Sequence, residues 1–514
     1  MPSTPRPRRA RKTEPGRAVP SVRRLFLTGL GVVQLIAFLS LWVQLDGLVG
    51  PRGILPAHDW LRAIEGTLVG RKELPPVPDG AGMIEAARLH LSNAWTRVQH
   101  APTLGWFLPR TGMHLLAGAG VLASLAVIAG RLVGPALLVV WASYLSLSVL
   151  GQAFLSFQWD VLLIEVSFAA MLVAPWGWRE GRAAPEAGWW LLRWILFRLV
   201  FFGGLVKLTS GDPTWRDFSA LTYHYMTQPL PNPLSWSAHA LPAWVHGVSA
   251  AGMFVVELLL VWGVLLPVRG VRLAAAGSIA LLMAALAATG NYGFFQLLTG
   301  VLCLAALQDA DLPTLRGRLA PPVVREAPSR AATWAAGTVA ALLFAVSLVG
   351  IGPRYAGVEL PAPLEEVRRL ASPWRTVNHY GLFAVMTTER PIPVLEARWG
   401  DGEWTELTWR WQTSDVSREP AQVAPHMPRL DWQLWFAGLG TCRGNPWVHS
   451  LQKRLVLGEA PVADLVGDLR LRTARPPDAT RMVLYRYAFA GSDAPEGTWW
   501  TRERLGPYCP EVRR

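Results

Sequence analysis

Lys207 closes an apolar run, FFGGLVKLTS, and the chain then turns into a polar loop dense in Gly, Pro, Trp, His and Tyr, GDPTWRDFSALTYHYMTQPLPNPLSW. An ionisable side chain at the edge of an apolar segment is costly and marks a functional position by default. A lysine there serves as a general base if desolvation strips its proton, or binds an anionic group if it keeps it. Lysine is otherwise rare: only Lys12, Lys72 and Lys453 accompany it, among many arginines, and arginine cannot deprotonate. Further charges interrupt apolar runs: Asp160 and Glu165 in WDVLLIEVSF, Arg193 and Arg198 in LLRWILFRLVFF, and Glu257 in MFVVELLLVW. Such groups face a bundle interior and pair. By depth, Glu165 suits Arg198, and Glu257 suits Lys207. Ion pairs that fix helix register account for this pattern, and so does a polar cavity in which Lys207 acts as a base.

Other chemistries lack their residues. His224, His239, His246, His379, His426 and His449 are scattered, with no H-E-x-x-H or Cys/His spacing, so neither a metal nor a cofactor is expected. Ser210 and Ser219 lack a G-x-S-x-G elbow. Gly203-Gly204 inside a helix reads as close helix packing rather than a phosphate loop. Three cysteines, Cys303, Cys442 and Cys509, cannot build a disulfide framework. Cys442 and Cys509 share the polar C-terminal region, and could pair if that region is exported.

The elements that must position these groups follow from composition. Of 514 residues, 51% are hydrophobic and the net charge is +13, which suits a polytopic α-helical membrane bundle with a soluble part. Residues 1–24 read as a disordered basic cytoplasmic tail, a positive-inside anchor rather than a nucleic-acid binder. Residues 25–352 read as the bundle, with about nine spans near 25–46, 111–130, 132–153, 160–176, 188–208, 243–266, 270–289, 291–308 and 331–352. An outer segment, 49–110, holds two interfacial amphipathic helices, and 209–242 is an outer loop. A cytoplasmic N-terminus places Arg131, Arg179, Arg182, Arg269, Arg272, Arg316, Arg318, Arg325 and Arg330 inside. Residues 353–514 then form a soluble α+β domain outside the cytoplasm. Its expected strands are Tyr380–Thr388, Pro393–Trp399, Trp404–Trp411 and Arg481–Phe489, and its expected helices are Arg429–Leu439 and Pro446–Leu457. Its tryptophans read as core.

Six blocks carry a resemblance: GILP (53–56), LSFQWDVLLIE (155–165), GGLVKLTSGDPTWRDFSALTYHYMTQPLPNPLSW (203–236), TGNYGFFQLLTG (289–300), NHYGLFAVMTTERP (378–391) and VAPHMPRLDWQLWFAGLG (423–440). Together they resemble the lipase maturation factor family from about Leu25 to Cys509. The Arg-rich tail and the sequence around Leu395–Gly400 depart from it. The resemblance implies a membrane-bound, chaperone-like maturation factor whose animal relatives reside in the endoplasmic reticulum and help secreted lipases assemble. Its partners would be an exported client, such as a lipase, and the bilayer, with no nucleic acid. It points to Gly211, Asp212, Trp215, His224, Tyr225 and Asn232 as motif-loop residues. In the client-handling C-terminal domain it points to His426, Arg429, Asp431, Trp432 and Trp435. The Arg-rich, Lys-poor composition resembles that of a GC-rich bacterium, which implies the inner membrane with the C-terminal domain periplasmic.

The pattern around Gly204, Lys207-Leu208, Trp215, Ala220 and Leu221 is also similar to the HTTM membrane domain of vitamin K-dependent gamma-carboxylase. That similarity implies the alternative, an integral membrane enzyme with Lys207 as base on a lipid-soluble or exported substrate. A transporter ranks last, since no internal hydropathy repeat is visible.

Overall fold

The computed structural model describes residues 21–78, 82–178, 182–312, 326–473, 475–491 and 493–514. The basic tail to residue 20, and Arg179, Arg316, Arg318 and Arg325 of the basic loops, lie outside the described residues.

The N-terminal part is helical: α1 (Val22–Trp42), α2 (Ala57–Gly70), α3 (Met83–His100), α4 (Gly112–Ala129), α5 (Val133–Leu150), α6 (Gln158–Ala170), α7 (Glu186–Thr209), α8 (Ala220–Thr227), α9 (Ala243–Phe254), α10 (Arg269–Ala288), α11 (Phe295–Cys303) and α12 (Arg330–Val349). Ser21 and Ser329 start α1 and α12, each side chain accepting a first-turn N–H. Gly130, at φ 69°, ends α4 in the left-handed conformation so that α5 can turn back. Helices α1 and α4 cross closely because a glycine on each leaves room for a bulky side chain of the other. A Cβ on Gly120 would lie 2.2 Å from Phe38, and one on Gly31 would lie 2.9 Å from Ile128.

Among the described residues, six helices are long and apolar enough to cross a membrane: α1, α4, α5, α9 with its continuation to Leu265, α10, and α12 with its continuation to Tyr355. The other three expected spans differ in kind. Helix α6 has 13 residues and α11 has 9, and both are largely buried in the bundle. Helix α7 has 24 residues but carries Glu186, Arg193, Arg198 and Lys207. Protein rather than lipid solvates these helices, so their sequences are free to be short or charged.

Beyond α12, α13 (Ala362–Ala371) leads to a domain made of β1 (Arg390–Arg398), β2 (Thr405–Glu406), α14 (Arg429–Gly438), α15 (Pro446–Val456), α16 (Ala460–Val466), β3 (Ala479–Phe489) and β4 (Trp500–Arg513). The antiparallel sheet has the order β2-β1-β3-β4, with Val394 opposite Val483 and Leu484 opposite Gly506. Strand β1 is buried on both faces. Ile392 and Val394 join Trp435, Tyr487 and Trp500 on one side. Leu395 and Ala397 join the core that runs on into the bundle on the other. The Cys442–Cys509 disulfide ties β4 to the loop between α14 and α15.

Two expected strands do not form as drawn. Tyr380–Thr388 is irregular, and only Thr405–Glu406 of Trp404–Trp411 pairs in the sheet. In both stretches other groups take the ladder hydrogen bonds. Met386 N donates to Asp212, Thr408 N to Asp468 and Trp409 N to Ser414. Strand β4 was unexpected because Gly506, Pro507 and Pro510 interrupt it, and an edge strand tolerates this.

Candidate functional site

Helix α7 delivers Lys207 to the bundle interior. The ammonium is buried and donates to both oxygens of Glu257, at 2.7 Å and 3.0 Å. Glu257 sits in a single π-helical turn, Val255–Leu259, which interrupts the helical run after α9. Such turns cluster at functional positions. Gly204 makes the approach possible, since a Cβ there would lie 2.8 Å from Glu257 Cβ. The Trp215 ring lies 5.5 Å from the lysine nitrogen, within cation–π range. His224 Nε2 is 3.0 Å from the Tyr292 hydroxyl. Burial, with the nearby Lys207 charge as the smaller cause, pushes His224 down to about 4, so it is neutral at neutral pH. Lys207, Glu257, Trp215, His224 and Tyr292 line one cavity.

The rest of the motif loop holds the backbone in place. Gly211 adopts φ +82°, which favours glycine. Asp212 caps the turn Pro213–Arg216 through Thr214 and accepts Met386 N at 2.5 Å. Burial pushes its carboxyl up, but these hydrogen bonds outweigh it and hold the group below the usual carboxylate range. Tyr225 lies against His246. Asn232 caps Pro233–His239 and reaches Ala288 and Gln422 with its amide.

Of the other expected polar residues, Glu165, Arg198 and Asp160 join the bundle to the chain that follows it, and Arg193 bonds within the bundle. Glu165 pairs with Arg198, and its second oxygen accepts from Asn378 and from the Tyr380 hydroxyl. Asp160 pairs with Arg429 of α14 in a two-pronged bond, at 2.5 Å and 2.7 Å, and also accepts from Tyr144 at 2.7 Å. Arg193 donates to the Ala305 carbonyl. The five client-binding candidates sit on the bundle-facing part of the domain. Arg429, Asp431, Trp432 and Trp435 are buried, and His426 meets Ser40 of α1 at 2.9 Å. Trp432 packs on Trp159 and Tyr292, and Trp435 donates to Thr227. Asp431 accepts two backbone N–H groups, from Trp411 and Gln412, yet full burial pushes its carboxyl up to about 6.

Residue-by-residue reading missed three contributors. Asn291 accepts Val423 N and Ala424 N across the same junction. Arg390, fully buried, donates to the carbonyls of Gln228 and Pro229 in the motif loop and to Gln412. Gln296 lines the Lys207 cavity. All three lie inside the blocks 289–300 and 378–391, which were the only available signal.

The family model described as lipase maturation factor transmembrane domain matches residues 21–314, and that described as lipase maturation factor C-terminal domain matches residues 376–510. Lipase maturation factor 2 of Homo sapiens is 32% identical over 614 residues, covering 95% of this chain and 82% of the relative. Lipase maturation factor 2 of Xenopus laevis is also 32% identical, with the same coverage of both chains. Lipase maturation factor 1 of Bos taurus is 30% identical, covering 96% of this chain and 89% of the relative. No solved structure matches the chain.

Proposed function

The chain belongs to the lipase maturation factor family, and on that premise we propose that it is a membrane-bound maturation and assembly factor for exported proteins, lipases or other secreted enzymes among them. The observation that carries this reading is the near full-length match, through both regions, to relatives that bear that name. A chaperone-like role needs a scaffold and an accessible surface rather than a catalytic constellation. The bundle and C-terminal domain share one core. Phe436, Leu439, Leu457 and Leu469 offer exposed apolar side chains on the domain.

The same proposal places the protein in a bacterial inner membrane, N-terminus in the cytoplasm and C-terminal domain in the periplasm. Its Arg-rich composition supports the source. The start of α1, Arg182, Arg269, Arg272 and Asp311 gather at one end, through Arg23 to the Arg182 carbonyl and through Asp309 to Val22 N. That gives the cytoplasmic end the basic residues the positive-inside rule asks for. The Cys442–Cys509 disulfide supports an oxidising compartment for the domain. In a deletion strain, exported lipase activity should fall more than lipase abundance, and crosslinking in native membranes should trap an exported enzyme on the C-terminal domain. Unchanged specific activity of every exported lipase would overturn the proposal.

A second reading is favoured by one observation, the cavity at Lys207. It is an HTTM-like enzyme using that lysine as base. The two-pronged bond to Glu257 opposes it, because a base needs a free lone pair. Full activity of Lys207→Arg in the deletion strain would eliminate it.

A further inference from the structure

Helices α7, α10 and α11 and the π turn after α9 surround a cavity of about 100 Å3, near the size of an apolar cavity that admits a benzene ring. Leu199, Val200, Leu282, Met283 and Leu286 supply apolar wall. Independent features distinguish it from a packing defect. Gln296, which lines it, is 6% exposed, and its Nε2 has no hydrogen-bond partner. A buried amide N–H left unpaired calls for an acceptor. Charges on the lining cancel, since Lys207 is matched by Glu257 and His224 is held neutral, at about 4. Irregular backbone borders the space at the π turn and at Phe383, whose φ is 55°. At membrane depth such backbone is tolerated where it is buried in protein or lines a cavity. Gly203 also lines the space, and a Cβ there would meet nothing within 4 Å.

We propose that this cavity binds the polar end of an uncharged, lipid-soluble molecule, with its first methylenes against Leu199, Leu282 and Met283, the rest of its chain leaving through the open side of the cavity, and a carbonyl or hydroxyl oxygen hydrogen-bonded to the Gln296 side-chain amide, which turns to meet it. A free carboxylate fits poorly, because it would have to displace Glu257 from Lys207. The site is independent of which client the C-terminal domain handles.

The test is equilibrium binding of radiolabelled monooleoylglycerol to the full chain in detergent micelles, with oleate as the charged counterpart. Monooleoylglycerol should bind saturably to one site. Gln296→Leu should weaken it about five-fold, the worth of one neutral hydrogen bond. Gly203→Leu should abolish binding while the thermal unfolding midpoint stays at or above that of the parent, since the new side chain enters open space and favours the helix. Three outcomes would overturn the proposal: no saturable binding to the parent, equal binding to all three proteins, or oleate binding as tightly as monooleoylglycerol. Should Gly203→Leu prove unfolded by gel filtration, the Gln296→Leu ratio decides alone.

Discussion

Arg429→Met tests whether the bundle and the C-terminal domain are held together by buried charge. Arg429 donates to Asp160 at 2.5 Å and 2.7 Å, to the Phe154 carbonyl at 3.0 Å and to the Tyr144 hydroxyl at 3.3 Å. Asp160 is 0% exposed. Methionine fills much of the volume but leaves that carboxylate with the Tyr144 hydroxyl as its remaining side-chain donor. Removing one partner of a buried pair costs about 3–5 kcal/mol, whereas replacing both by apolar groups is often neutral. The single variant should therefore shift the folding equilibrium by roughly two to three and a half orders of magnitude. Arg429→Met with Asp160→Leu should recover most of that loss. The assay is SDS titration of the full chain in detergent, followed by tryptophan fluorescence and by protease sensitivity of the 372–388 junction. A single-variant cost under about 1 kcal/mol, or a double-variant cost equal to the sum of the two singles, would refute the reasoning.

Three further outcomes follow from the same geometry. Cys442→Ser opens a link between residues 67 apart, and the chain-entropy relation puts the loss at about 4 kcal/mol; reductant should destabilise the parent by a similar amount and leave the variant unmoved. Asp431, raised by burial to about 6, is held more tightly protonated in the folded than in the unfolded chain. Its contribution is therefore complete below about pH 4 and is lost as pH rises through about 6, by on the order of 3 kcal/mol. Asp431→Asn should lack that slope, so the difference between variant and parent stability from urea titrations should change by that amount across pH 4–7, and parallel curves would contradict it. Gly120→Val drives a side chain into Phe38, 2.2 Å from the new Cβ, and should cost at least about 1–3 kcal/mol, read as a lower detergent-phase unfolding midpoint.

How far the chain could be read from its residues depended on how local the physics was. Glu165–Arg198 and Glu257–Lys207 could be paired by depth alone, because charge in apolar helices has few places to go. Asp160 could not, since its partner lies 269 residues away. Hydropathy identifies a helix that lipid must dissolve, but α6 and α11 are dissolved by protein, so their lengths are 13 and 9 residues. Alternation suggested a strand at Tyr380–Thr388, yet that backbone is committed to the bundle. The Tyr380 and Phe383 carbonyls accept from Tyr355 and Trp215, and Met386 N reaches Asp212. The cavity was legible only as a costly lysine. Its walls come from α7, α10, α11 and residues 382–383, which no spacing rule brings together.

These long-range bonds change what the C-terminal block 423–440 means. The residues alone read Trp432 and Trp435 as core, whereas the family resemblance marks the same helix face as one that handles a client. The bundle takes that face first. Trp159 and Tyr292 pack on Trp432, Thr227 accepts from Trp435, Gln44 accepts Arg429 N, and Asn291 accepts Val423 N. Each of those polar or aromatic bundle residues is buried, and the C-terminal domain supplies part of its cover. The membrane part is therefore built to be completed by the C-terminal domain. The apolar side chains left exposed for the client that the proposed function requires lie at the outer edge of α14 and its neighbours, where Phe436 is 43% exposed and Leu457 is 51% exposed.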